Sequence, residues 1–146
     1  LSLMVLVWAA DIGAYFAGRG LGGQFFANKL APSISPGKTW EGVMGGVTAV
    51  LIVAMLWIYA DGHTAVDSLS LYSRLLDMGL PVLLLGIAFM TAMSVVGDLV
   101  ESLFKRSAGV KDSSNLLPGH GGVLDRVDAL LPTLPLALML VGGGVL

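Results

Sequence analysis

Four long apolar stretches, separated by three polar connections, divide the sequence. The stretches cover residues 1–17, 43–60, 79–97 and 129–146. Each is close to the roughly 20 apolar residues that a helix needs to cross a bilayer. The second and third contain no charged residue, whereas the first contains Asp11. The pattern predicts an all-α, polytopic transmembrane bundle of about four spans, with structured loops between them.

The composition supports a membrane protein. Of 146 residues, 55% are hydrophobic and 12% are charged, about half the 25% that is typical of soluble domains. The net charge of −2 leaves no basic excess for binding nucleic acid through its phosphates, so nucleic acid is excluded as a partner. Because the chain has no cysteine, any metal must bind to oxygen or imidazole.

Charge is distributed unevenly among the connections. The acidic residues Asp61, Asp67 and Asp77 lie in connection 61–78 with one base, Arg74, whereas connections 18–39 and 101–128 carry the other basic residues. By the positive-inside rule, these two are cytoplasmic and both ends of the chain lie on the opposite side. Both ends also interrupt apolar stretches, so we expect residues 1–146 to be part of a longer chain.

A polar stripe follows the third apolar stretch. Asp98, Glu101, Ser102 and Lys105 have the spacing of one helical face. An ionisable residue this close to a membrane span is costly, which makes Asp98 a functional candidate. The alternative is that the stripe only marks where the helix leaves the membrane.

Segment 102–128 combines cations, acids and glycines beside the membrane. Glycines flank His120 and suit a backbone that approaches an anion closely. Phosphate-binding candidates are Lys105, Arg106, Lys111 and Arg126. Candidate oxygen ligands for Mg²⁺ are Asp98, Asp112, Asp125 and Asp128. The combination indicates phosphate chemistry with a divalent metal; a cluster that binds anionic lipid, or a solvated loop, are the alternatives.

Three motifs resemble those of one enzyme family. The longest is Ser102-x2-Lys105-Arg106-x4-Lys111-Asp112-x5-Pro118-Gly119-His120-Gly121-Gly122-x2-Asp125-Arg126-x-Asp128. Upstream motifs are Asp11-x3-Tyr15-x2-Gly18-Arg19 and Ser35-Pro36-x-Lys38-Thr39-Trp40-Glu41-Gly42. All three resemble the phosphatidate cytidylyltransferase (CDP-diacylglycerol synthase) family, over four spans and both cytoplasmic loops. The resemblance implies that residues 1–146 form the catalytic, membrane-embedded C-terminal domain of such an enzyme.

The resemblance implies a reaction and a site. CTP and phosphatidic acid would give CDP-diacylglycerol and pyrophosphate, with Mg²⁺ bound by Asp98 and Asp125 and a second cation left open. The expected catalytic residues are Asp98, Asp125, Lys105, Arg106, Lys111 and His120. The expected substrate-binding residues are Ser35, Lys38, Ser102, Arg126, Asp112, Gly121, Gly122 and Asp128. The implied surroundings are a bacterial inner membrane with the site facing the cytoplasm; a homodimer stays open.

Other interpretations compete with this one. Asp11 and Asp98 could be ion ligands of a cation-coupled transporter, although the polar residues cluster at the cytoplasmic ends and no repeat is visible. A CTP-dependent polyprenol or phytol kinase is the nearest enzymatic rival, and a non-catalytic scaffold leaves the loop acids unexplained. The G-x-G-x-x-G match at 18–23 does not follow a strand, and the S-x-x-K match at 35–38 lacks its companion motifs.

Two local features predict how the second span begins and packs. Thr39, before Trp40 and Glu41, is typical of a helix N-cap. Gly42 and Gly46 form a G-x-x-x-G pattern, which is typical of close helix contacts in membranes.

Asp11 and Tyr15, one turn apart, form a polar patch in the first span. A functional role for this patch is favoured slightly over a structural contact between helices.

Overall fold

The computed structural model of the chain describes residues 1–26, 28–64, 69–110 and 128–142. These residues form α1 (Ser2–Leu21), α2 (Trp40–His63), α3 (Leu71–Asp77), α4 (Leu80–Ser107) and α5 (Leu130–Gly142). The described ranges contain no β-strand, and an isolated bridge joins Ala31 to Ser35. The prediction of an all-α fold is therefore confirmed.

Two helices, α2 and α4, are long and apolar enough to cross a membrane. Their apolar side chains point largely outward: on α2, Met55 is 62% exposed and Leu56 is 65% exposed. Such surfaces are unfavourable in water and favourable in hydrocarbon. Two of the four predicted spans are thus supported as membrane-spanning candidates.

The other two predicted spans are helical but less clearly membrane-spanning. Helix α1 has 20 residues and includes both Asp11 and Arg19. Helix α5 has 13 residues, which at 1.5 Å per residue gives about 20 Å, short of the roughly 30 Å hydrocarbon core. Residues 143–146 of the last predicted span lie outside the described residues.

Small residues allow α1 and α2 to pack closely. A Cβ atom added to Gly42 would lie 3.0 Å from the Ala14 carbonyl oxygen, and one added to Gly46 would lie 2.9 Å from that of Ala10. Neither position can carry a side chain without moving the neighbouring backbone. The close contact predicted from Gly42 and Gly46 is confirmed, and it fixes the start of α2 beside α1.

The short helix α3 was not predicted, because it lies in the acidic connection 61–78 between two apolar stretches. Its first turn is capped by Ser70, whose Oγ accepts a hydrogen bond from the Ser73 N–H at 3.3 Å. The Asp61 carboxylate accepts from Ser73 Oγ at 2.6 Å and from the Ser70 N–H at 3.2 Å. Leu71 and Leu75, one turn apart, are both buried. A capping serine followed by this apolar spacing was the signal for the helix.

Tyr72 of α3 is fully buried in the core. Its hydroxyl donates a hydrogen bond to the Ser2 carbonyl oxygen at 3.1 Å, and its ring lies 6.1 Å from that of Trp57. Burial raises the pKa of Tyr72 to about 12, so the hydroxyl stays protonated and remains a donor. This residue ties α3 to the beginning of α1, at the end of the bundle opposite the polar stripe of α4.

Candidate active site

The connection between α1 and α2 carries Lys38 to the end of α4. The Leu30 N–H donates to the Lys38 carbonyl oxygen at 3.1 Å, which closes the turn that contains Ser35. Helix α2 then starts directly, since Thr39 Oγ1 accepts from the Gly42 N–H at 3.1 Å. The N-cap predicted at Thr39 is confirmed. It fixes the backbone next to Lys38.

Lys38 pairs with Asp98. Its Nζ atom lies 2.5 Å from Asp98 Oδ2 and 3.5 Å from the Val95 carbonyl oxygen. The side chains are 22% and 36% exposed, so the pair is only partly solvated and retains a substantial Coulomb attraction. The contact places connection 18–39 and the end of α4 at the same end of the bundle, which is the relation that the charge pattern predicted.

The polar stripe on α4 exists as one helical face. Ser102 Oγ donates to Asp98 Oδ1 at 3.3 Å, and Lys105 Nζ lies 3.1 Å from Glu101 Oε2. Glu101 is buried, with 8% of its surface exposed. A buried carboxylate requires cationic or hydrogen-bonding partners, and Lys105 supplies one of them.

Asp128 joins this face because α5 packs against Gly97. A Cβ atom on Gly97 would lie 2.8 Å from Pro132 Cγ and 3.0 Å from the Asp128 carbonyl oxygen. Asp98, Glu101 and Asp128 can each offer a carboxylate oxygen within 4.8 Å of the others. Three such oxygens fit a hard divalent cation such as Mg²⁺. We refer to these three residues as the carboxylate group.

A cavity of about 270 Å³ lies beside the Lys38–Asp98 pair. Asp11 and Tyr15 of α1 line it together with Thr91, Lys38 and Asp98. The Thr91 side chain is buried, and its Oγ1 atom has no hydrogen-bond partner within the described residues. Asp11 is not among the predicted site residues, although the cost of an aspartate in a membrane span favours a function for it.

Glu41 is a site-building residue that the sequence reasoning did not single out. Its Oε1 atom accepts hydrogen bonds from the N–H groups of Gly23 at 3.0 Å, Phe25 at 3.1 Å and Phe26 at 3.0 Å. One carboxylate therefore orders the backbone that follows α1. A glutamate in the first turn after the N-cap Thr39 was the available signal, but its three backbone partners are not visible in the sequence.

The predicted residues fall into three sets. The structure brings together Lys38, Asp98, Ser102, Lys105 and Asp128. Ser35 lies in the turn before Lys38, and Arg106 is exposed in the last turn of α4. The remaining predicted residues lie outside the described part of the chain: Lys111, Asp112, His120, Gly121, Gly122, Asp125 and Arg126.

Fold and site together define a helical, membrane-type protein with lysines and carboxylates clustered at one end. Residues 1–142 match the model of the cytidylyltransferase family, and the chain belongs to that family. It is 48% identical over 135 residues to the phosphatidate cytidylyltransferase of Haemophilus influenzae, covering 92% of this chain and 42% of the relative.

Further relatives carry the same name. The phosphatidate cytidylyltransferase of Pseudomonas aeruginosa is 48% identical over 135 residues, covering 92% of this chain and 44% of the relative. That of Bacillus subtilis is 40% identical over 139 residues, covering 94% of this chain and 45% of the relative. The chain thus spans less than half the length of these relatives.

Proposed function

We propose that this chain forms the catalytic part of a phosphatidate cytidylyltransferase, which converts CTP and phosphatidic acid to CDP-diacylglycerol and pyrophosphate. The observation that carries the proposal is the placement of Lys38 and Lys105 against the carboxylate group, at the end of a helix of membrane length. The names of the relatives, at 40% to 48% identity, supply the substrates.

The chemistry matches this set of side chains. A phosphate oxygen of phosphatidic acid attacks the α-phosphorus of CTP, and the bond from that phosphorus to the bridging oxygen of the β-phosphate breaks, releasing pyrophosphate. Two polyanions must meet, so cations are needed to offset their repulsion and to stabilise charge in the transition state. No protein nucleophile is required.

Each described residue has a role in this proposal. Lys38 and Lys105 bind phosphate oxygens, and the carboxylates with which they pair keep them in place beforehand. Asp98, with Glu101 and Asp128 beside it, would hold Mg²⁺. When bound, this ion would neutralise negative charge on the phosphates. Ser102, hydrogen-bonded to Asp98, orients that carboxylate.

The residues outside the described ranges complete the proposed site. Asp125 is proposed as a second metal ligand and Lys111, Arg126 and Asp112 as substrate-binding residues. His120, Gly121 and Gly122 are proposed to act on the phosphates, as are Arg106 and Ser35 in the described part of the chain. The proposal is compatible with a second bound cation and with a homodimer of the complete enzyme.

The proposed setting is the bacterial inner membrane, crossed four times by this part of the chain. Connection 18–39 carries basic residues without acids, and Lys38 brings it to the end of α4. Under the positive-inside rule, this end faces the cytoplasm. CTP would then enter from water, while the lipid would reach the site from the bilayer.

The test is pyrophosphate release by the complete protein, purified in detergent, with CTP, phosphatidic acid and Mg²⁺. We expect release that requires all three and stops on addition of EDTA. Asp98→Asn should abolish release with an unchanged melting temperature, whereas Asp77→Asn, at the other end of the bundle, should not affect it. Formation of CDP instead of pyrophosphate would overturn the proposal in favour of a lipid kinase, and CTP-independent ion transport would favour a transporter.

A further inference from the structure

The cavity of about 270 Å³ beside the Lys38–Asp98 pair lies between three helices, and we call it the three-helix cavity. Thr91 precedes Asp98 by two turns of α4, about 10 Å along the helix axis at 1.5 Å per residue. The cavity therefore extends from the charged pair into the bundle. Its lining includes Asp11 and Tyr15 of α1, Gly42 and Gly46 of α2, and Thr91 and Asp98 of α4.

Asp11 and Thr91 lie at similar depths in this cavity. In α1, Gly18 is level with the charged pair, because a Cβ atom added to it would lie 3.2 Å from Thr39 Oγ1. Asp11 precedes Gly18 by two turns, just as Thr91 precedes Asp98. We call the part of the cavity that Asp11 and Thr91 line its deep end.

The hydrogen-bonding groups at the deep end are not satisfied by the part of the chain that the structure describes. Thr91 is 1% exposed, and its Oγ1 atom has no hydrogen-bond partner there. Asp11 makes neither a hydrogen bond nor an ion pair with any described residue. Polar groups in such positions are costly unless they find a partner. A ligand that carries hydrogen-bonding groups would provide one.

The charges of the cavity select a neutral ligand group at the deep end. Lys38, the cation in the lining, is already paired with Asp98, so a phosphate beside Asp11 would meet an unpaired negative charge and be repelled. Asp11 is also not one of the three residues of the carboxylate group. An ionised carboxylate only accepts hydrogen bonds, so the matching ligand group is an amine or a hydroxyl.

CTP carries such groups on its nucleoside. With the phosphates near Lys38 and the carboxylate group, the nucleoside would extend toward the deep end. The ribose hydroxyls are near the phosphates, whereas the amino group at C4 of cytosine is at the far edge of the base. Aspartate accepts a hydrogen bond from this amino group in cytosine recognition. UTP has a carbonyl oxygen at the same position, which a carboxylate repels.

We propose that the deep end of the three-helix cavity binds the cytosine base of CTP. The Asp11 carboxylate accepts a hydrogen bond from the C4 amino group, and the Thr91 hydroxyl bonds to the polar edge of the base. The inference rests on the proposed function and adds the residues that select CTP over UTP. Holding base and phosphates at opposite ends of one cavity would orient the α-phosphorus for attack.

Asp11→Asn tests the contact with the base, because the side-chain amide can donate a hydrogen bond to the C4 carbonyl of UTP. In the complete protein, we expect kcat/KM for CTP relative to UTP to fall by at least about tenfold. The preference for CTP over 2′-deoxy-CTP should stay unchanged, and Asp77→Asn should alter neither ratio. An unchanged CTP-to-UTP ratio in Asp11→Asn, or a change confined to 2′-deoxy-CTP, would overturn the proposal.

Thr91→Val removes the hydroxyl and keeps a β-branched side chain of similar size. We expect CTP binding, measured without lipid by equilibrium dialysis of labelled CTP, to weaken about tenfold, and Thr91→Ser to retain it. Ser94 is the matched control, since it is also 1% exposed with an unpartnered Oγ atom among the described residues but is not in the cavity lining. Equal effects of Thr91→Val and Ser94→Ala, or none from Thr91→Val, would contradict the assignment.

Binding and turnover separate this inference from the proposed function. A protein that binds CTP in preference to UTP through Asp11, yet releases no pyrophosphate, would refute the proposed function and support the base site. Pyrophosphate release by an Asp11→Asn protein that discriminates against UTP as strongly as the original would support the function and refute the base site.

Discussion

The Lys38 ammonium lies 2.5 Å from the Asp98 carboxylate, and it joins the connection before α2 to the polar stripe of α4. Ser102 contacts the other oxygen of the same carboxylate at 3.3 Å. Asp98 therefore contacts a lysine and a serine, and it lies beside Glu101 and Asp128. Removing any partner should change the charge that this residue presents to a metal or to phosphate.

Lys38→Ala should lower kcat/KM by about a hundredfold, because it removes a cation that binds phosphate and orients Asp98. The measurement is steady-state pyrophosphate release with CTP and phosphatidate varied separately. Lys29→Ala, an exposed lysine in the same connection, is the control. Equal losses from Lys29→Ala and Lys38→Ala would contradict a specific role for the pair.

Asp11→Asn should reduce kcat by about tenfold with little change in melting temperature. The reason is that Asp11 lines the cavity beside Lys38 and Asp98, so its charge acts on the reacting region. Asp77→Asn replaces an exposed aspartate on α3 and should leave kcat unchanged. A lowered melting temperature with normal kcat would instead assign Asp11 to helix packing.

Gly97→Ala should raise the Mg²⁺ concentration required for half-maximal activity by about tenfold. Its Cβ would lie 2.8 Å from Pro132 Cγ and 3.0 Å from the Asp128 carbonyl oxygen, so α5 must shift and carry Asp128 with it. Gly142→Ala, where nothing lies within 4 Å, is the control for α5. An unchanged Mg²⁺ requirement in a folded Gly97→Ala protein would show that Asp128 is not a ligand.

Gly45→Val should lower the melting temperature in detergent. A Cβ at this position would clash with Ala17 and lie 2.9 Å from the Gly13 carbonyl oxygen, and overpacking of this kind costs about 1–3 kcal/mol. The matched substitution Gly20→Val, in α1 with nothing within 4 Å, should have a much smaller effect. Equal melting temperatures for the two variants would argue against close packing of α1 and α2.

Glu41→Ala should increase hydrogen exchange at the amides of Gly23, Phe25 and Phe26 by at least about tenfold, because these three amides lose their acceptor. Glu41→Gln keeps a carbonyl oxygen at this position and should retain part of the protection. Asp61→Ala, at the opposite end of the bundle, serves as the control. Unchanged exchange in Glu41→Ala would mean that other contacts order this backbone.

The sequence by itself determined where the four long helices lie and to which enzyme family the chain belongs. Apolar length predicts helices at residues 1–17, 43–60, 79–97 and 129–146, and the described part of each stretch is helical apart from the first residues Leu1, Gly79 and Ala129. Thr39 and the Gly42–Gly46 pattern act over a few residues, so local rules were sufficient for them. The spacing of Asp98, Glu101, Ser102 and Lys105 defined one face because helical periodicity is fixed.

Only the tertiary structure decided which distant residues meet. The Lys38–Asp98 pair, the approach of Asp128 to Glu101 and the position of Asp11 in the cavity all join separate helices or connections. The three backbone partners of Glu41 also depend on packing, not on local pattern. The physical reason is that helical periodicity determines only which residues share a face of one helix. Contacts between helices depend on how closely their backbones approach, and small residues such as Gly97 and Gly46 set that distance.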